Sequence, residues 1–256
     1  MTDRTADGED AALVIGASRG IGLALVRQLL DEGAFETVYA THRGKLAGPE
    51  LERLAKKHPD LLRPLPCDVT DDHSIGNMAQ QLKEEGLALT LVLHAAGILH
   101  EPGLGPEKAL SQLRRESLAR LFDVNAFGPL LVAQAVLGSV PRRRPAQYAV
   151  LSAMDGSIGD NRLGGWYGYR ASKSALNQLL RTLAIEARRT HPGLCVTAIH
   201  PGTTDTDLSR PFQGNVAEDR LYTPARSAAR ILGVVRGGRP EDSGRFMNWN
   251  GEAIPW

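Results

Sequence analysis

The chain alternates short apolar runs with longer segments of helical periodicity, and nothing else in it constrains the fold as tightly. The runs AALVI (11–15), TVYAT (37–41), LLRPLP (61–66), LTLVLH (89–94), QYAVLS (147–152), LCVTAIH (194–200) and RFMNW (245–249) read as strands. Helical patterns fill 20–32, 49–57, 73–85, 110–139, 169–190 and 224–236. Near-continuous apolar strands separated by helices must bury both sheet faces, which calls for a parallel sheet with helices on each side. The expectation is a single doubly wound α/β domain over 11–256, with about seven strands and a flexible tail at 1–10. In such folds ligands bind beyond the carboxyl ends of the strands, so a functional motif should follow a strand.

Composition narrows the partners. A formal net charge of +1 gives no long-range field for nucleic acid or an anionic membrane. The first ten residues are polar, and no apolar run approaches a membrane span. Cys67 and Cys195 lie far apart without metal-ligand spacing, which predicts reduced thiols, no metal and a cytoplasmic setting. The arginine run PRRRP (141–145) precedes a strand, so it belongs to the opposite sheet edge and reads as a solvated loop.

The stretch LVIGASRGIGLALVRQLL is a strand, a glycine-rich turn and an amphipathic helix. Gly16, Gly20 and Gly22 allow a tight turn and close backbone approach to a pyrophosphate, with Ser18, Arg19 and Ile21 between them. The second strand ends at Thr41, where NAD sites carry an acid on the ribose; His42, Arg43 and Lys45 follow. Arg43 and Arg19 can clamp a 2′-phosphate, which predicts NADP (NADPH) over NAD. After the third strand, Asp68 and Val69 suit the adenine edge and ring. After the fourth, the small Ala95, Ala96 and Gly97 let a cofactor lie on the backbone, and His94 reads as a structural histidine.

WYGYRASK (166–173) carries the chemistry. A Tyr-x3-Lys match is common by chance, but this one follows the fifth strand and opens a helix. Tyr169 and Lys173 are four residues apart and share a helix face, whereas Tyr167 does not, so Tyr167 is expected to shape the pocket. An ammonium beside a phenol favours the phenolate and lowers its pKa. Tyr169 can then act as general acid to a carbonyl or general base to an alcohol, with the nicotinamide exchanging hydride. The segment 203–222 reads as a mobile lid. The tryptophans of MNWNGEAIPW can cap the pocket, bury at a subunit contact or pack in the core.

GASRGIG, CDVTD, HAAG, NAFG, YRASK and HPGTTDT, in that order, resemble the short-chain dehydrogenase/reductase family along nearly the whole chain, within its carbonyl-reductase branch. The resemblance implies a Rossmann-type oxidoreductase acting on a small carbonyl or alcohol substrate, and a homo-oligomer, dimer or tetramer. It implies that Asn125 kinks its helix and holds a relay water, and that Lys173 also binds the nicotinamide ribose. Pro201, Gly202 and Thr206 match the segment that grips the nicotinamide side. The sequence departs from the family pattern where a Ser-Ser pair usually ends the fifth strand: it has Ser152-Ala153, which puts alanine at the catalytic serine's place. Ser152, through a register shift, or Ser157 can supply the hydroxyl, and Ser152 is preferred. The branch includes the C-factor signalling protein, so the alternative is a cofactor-binding signalling protein with little catalytic role.

Overall fold

The computed structural model describes residues 8–44 and 46–256; Lys45 and the first seven residues of the expected tail lie outside these. Seven strands form one parallel sheet: β1 (Asp10–Ile15), β2 (Thr37–His42), β3 (Leu62–Pro66), β4 (Ala88–His94), β5 (Ala146–Leu151), β6 (Leu194–His200) and β7 (Arg245–Asn248). Their order is β3-β2-β1-β4-β5-β6-β7. The principal helices are α1 (Gly20–Glu32), α2 (Pro49–Lys57), α3 (Asp72–Glu85), α4 (Arg115–Phe122), α5 (Gly128–Val136), α6 (Tyr167–Thr190) and α7 (Pro224–Gly237).

Strand β1 shows why the sheet is covered twice. Ala11, Leu13 and Ile15 point into a core with Ile75 and Met78 of α3, Val132 of α5 and Leu176 of α6. Ala12 and Val14 point the other way, against Leu25 and Leu29 of α1, Leu51 of α2 and Ile231 of α7. Every β1 residue from Ala11 onward is fully buried, as a central strand of a doubly wound sheet requires.

The helical pattern expected over 110–139 is interrupted. A 3-10 turn, Leu110–Gln112, precedes α4, and a π-helical turn, Asp123–Phe127, separates α4 from α5. Pro129 in the first turn of α5 has no N–H to return to Asn125, so the regular ladder cannot run through this point. Arg115–Ser139 as a whole is long and apolar enough to cross a membrane, a run that the sequence reading passed over. Half of its most apolar window is buried in the fold, which fits a core helix.

The arginine run is spent on structure. Arg142 Nε donates to Thr190 O at the end of α6, and Arg144 donates to Gly8 O and pairs with Asp10.

Candidate active site

Helix α1, after β1, packs on one face of the sheet, and α5, after β4, packs on the other. The two central strands stay paired to Ile15 and His94, but the connections that leave them diverge and open a crevice at their carboxyl ends. A cavity of about 960 Å³ opens there. Gly16, Ser18, Arg19, Gly20, Ile21 and Gly22 line it from the β1–α1 turn. Arg43 follows β2, Asp68 and Val69 follow β3, and Ala95, Ala96 and Gly97 follow β4. Ser152, Tyr169, Lys173, Pro201 and Thr206 complete the lining.

Thr41, Asn125 and Gly202 stand behind this wall instead. Thr41 is fully buried, and its Oγ1 accepts the Gly16 N–H at 3.0 Å, so it anchors the glycine turn. Gly16 itself sits at φ 79°, and a Cβ there would come within 2.8 Å of the Ala96 backbone. Gly202 packs against Tyr222 and Trp249. Asn125, fully buried on the π-helical turn, accepts from Ile98 N at 2.8 Å and donates to Ile98 O at 2.9 Å and Ser172 Oγ at 3.1 Å. It thereby fixes the strand-end segment that forms the cleft floor.

Arg19 and Arg43, the two arginines expected at a phosphate, both line the cleft. Arg19 pairs with Asp207 at 3.3 Å, both largely exposed, so this link is weak and readily exchanged. Glu101, whose carboxyl is held below its ordinary range first by the hydrogen bond from Arg120, also feels the charge of Arg43. Asp68 accepts from the backbone N–H and the hydroxyl of Thr70, which locks its carboxylate at the β3 end.

Tyr169 and Lys173 occupy successive turns of α6. The Lys173 ammonium lies 5.9 Å from the centre of the Tyr169 ring and donates to Leu151 O at 2.9 Å. Burial lowers the Lys173 pKa to about 8. The Tyr169 phenol moves opposite to the sequence expectation: burial raises its pKa, and the nearby Asp155 carboxylate raises it further. Protonated Tyr169 is thus strongly favoured, and its proton can leave only where the phenolate is stabilised. Asp155 pairs with Arg170 at 3.0 Å. Among the described residues His94 has no hydrogen-bond partner on either ring nitrogen; burial, then the Lys173 charge, lowers its pKa to about 3, so it is neutral.

Tyr167 is 41% exposed and does not line the cavity. Trp166 takes the place beside the phenol: its indole meets the Tyr169 ring edge-on at 6.2 Å and Phe212 at 5.0 Å. Phe212 and Leu208 come from the segment read as a lid, and they pack on an apolar cluster of Leu99, Leu104, Leu121, Ala153 and Tyr169. Trp249 and Trp256 lie against Tyr222 and Phe246 and line no part of this cleft.

Of the two candidate hydroxyls, Ser152 borders the cavity and donates to Asn177 Oδ1 at 2.7 Å. Ser157 is turned away, donating to Pro255 O and accepting from Asp160 N. Asp155, Trp166 and Glu107 were missed in the sequence. Trp166 lay inside the quoted motif, but its role needed its left-handed backbone, φ 50°, which no residue pattern announced.

Comparison with known proteins agrees with this layout. Residues 10–216 match the family model for short chain dehydrogenase. The chain is 31% identical over 247 residues to a 1-hydroxy-2-glutathionyl-2-methyl-3-butene dehydrogenase of Rhodococcus sp. (strain AD45), covering 95% of this chain and 98% of that protein. An NADPH-bound carbonyl reductase from chicken fatty liver superposes with TM-score 0.84 at 32% identity, over 96% of this chain and 98% of that one. A putative short-chain dehydrogenase/reductase from Burkholderia multivorans with bound NADP gives 0.83 at 28%, over 97% and 100%. The match along most of the chain, on a sheet whose central crevice holds a tyrosine–lysine pair, makes the protein a member of the short-chain dehydrogenase/reductase family, an oxidoreductase of the carbonyl-reductase branch.

Proposed function

We propose that the protein reduces a small ketone or aldehyde with NADPH, Tyr169 acting as the acid. One observation carries this reading: the buried Tyr169 phenol and a lysine one turn later line the same cleft as the glycine turn. The nicotinamide, when bound, supplies the hydride. The residues fit such a group: the Ala95–Gly97 floor is bare of bulk, and a Cβ on Gly97 would stand 3.3 Å from Asn125 Oδ1 and 3.5 Å from Lys173 Nζ. Arg43 and Arg19 would receive the 2′-phosphate, with Asp207 giving Arg19 up.

The chain's own part is proton transfer and placement. The carbonyl oxygen receives the Tyr169 proton as hydride reaches the carbon. The phenolate left behind is stabilised by the Lys173 ammonium until solvent protons restore it. Ser152 is the hydroxyl proposed to steady the carbonyl oxygen, turning from Asn177 to do so. The apolar cluster closed by Leu208 and Phe212 excludes water around the reacting atoms. A purely signalling role of the C-factor kind is the second reading, and the assembled proton-transfer groups weigh against it. Cytoplasmic location and a homo-oligomer complete the proposal, from the family resemblance and composition.

Thermal denaturation with each nucleotide tests the cofactor assignment, because a ligand stabilises by its occupancy. NADPH should raise Tm well above equimolar NADH, and Arg43→Ala should remove most of that difference. Equal shifts in the wild type would refute the phosphate clamp.

A further inference from the structure

Tyr169 lies in the first turn of α6, and that turn is held from an unexpected place. The residue before the helix, Trp166, gives it no side-chain cap, and its backbone is left-handed, the only such non-glycine residue among those described. Glu107, on the loop between β4 and α4, supplies what is missing. Its carboxylate Oε2 accepts the Gly168 N–H at 3.1 Å, and its backbone oxygen accepts the Trp166 N–H at 2.5 Å. Glu107 is 4% exposed, and its second carboxylate oxygen, Oε1, is buried without a hydrogen-bond partner among the described residues. A carboxylate costs free energy to bury, and here it meets one amide, that of Gly168, at the positive end of a 24-residue helix. Gly168 is what lets it approach. A Cβ there would stand 2.7 Å from Leu121 Cδ1 and 3.0 Å from Glu107 Oε1.

We propose that Glu107 is a positioning residue: its carboxylate and carbonyl clamp residues 166–168 and so set where the Tyr169 phenol stands in the cleft. The clamp fixes both neighbours of that phenol. It holds the Trp166 backbone turned so that the indole meets the Tyr169 ring, and it holds the helix turn from which Tyr169 projects. The reading concerns geometry and not charge, because Gln can offer Gly168 the same acceptor oxygen. Its catalytic consequence rests on Tyr169 being the proton donor.

Two readouts separate the clamp from that premise. Hydrogen exchange of the peptide carrying residues 166–169, in the full chain, reports the clamp without any turnover. Glu107→Ala should lose protection there, and Glu107→Gln should keep it. Carbonyl reduction reports the consequence: Glu107→Ala should lower kcat roughly 10²-fold, as an ångström-scale misplacement does, with the NADPH Kd unchanged, and Glu107→Gln should restore most of it. Unchanged exchange at 166–169 in Glu107→Ala would overturn the proposal, as would full kcat in a variant that has lost protection. If Glu107→Ala does not fold, the Gln variant decides: it must match the wild type in both readouts, and a loss in either overturns the proposal. A wild type that binds NADPH but reduces no carbonyl refutes the reductase reading alone, and the exchange result still stands.

Discussion

In the proposed reaction, position 153 bears on how much help the carbonyl oxygen receives. Ala153 packs against Tyr169 and brings no hydroxyl, while Ser152, one residue earlier, points to Asn177. If Ser152 turns to the substrate, Ser152→Ala should lower kcat about 10-fold or more, and Ser157→Ala should affect stability instead. Adding Ala153→Ser to Ser152→Ala should recover activity, since it restores a hydroxyl at the position where the family carries its serine, in the cluster that holds Tyr169. Steady-state kinetics of the four proteins, wild type included, checks this; an unimpaired Ser152→Ala would remove Ser152 from the reaction. Lys173 gives the pH dependence its alkaline edge. With its pKa lowered to about 8, it is cationic below that pH and neutral above it. The proposed reduction relies on that cation and on protonated Tyr169, so kcat/KM should fall as pH rises through about 8. A profile flat to pH 10 would contradict this assignment.

Among the elements, the strands and most helices were legible because each stands on one strong signal. Apolar runs bounded by turn residues became strands within a residue or two of their expected ends, and α1 and α2 match over their full length. The break at Asp123–Phe127 was legible only through the family resemblance, which expected a kink at Asn125. Periodicity ran straight through it, because a single extra residue in a turn barely changes the spacing of apolar positions. At the site, spacing picked Tyr169 and Lys173 from one helix. It could not pick Glu107, 61 residues before the amide it accepts from, or Asp155, because contacts between distant elements leave no periodic trace. The phenol's shift was misjudged for the same reason. The sequence displayed the lysine four residues away and hid the burial and the carboxylate that outweigh it.

On the scale of the whole molecule, the buried polar groups tie stability to pH. His94 and His200 are shifted down to about 3 and about 4, mainly by burial. Each is neutral in the fold but would take a proton in the unfolded chain below its ordinary pKa of about 6.5. The unfolded state therefore binds more protons, and stability should decline as pH falls from about 6.5 towards 4. Thermal denaturation across this range should show His94→Asn with a shallower decline than the wild type; parallel curves would mean that His94 does not carry the effect.

The proposed reaction is hydride transfer assisted by one phenol. NADPH deuterated at the transferable nicotinamide position, incubated with a ketone accepted by the wild type, tests it in one product analysis. The account predicts deuterium on the carbinol carbon of the alcohol with the wild type. Tyr169→Phe should still bind NADPH but form product at least 10²-fold more slowly. Alcohol without deuterium, or an equal rate of labelled alcohol from both proteins, would contradict it.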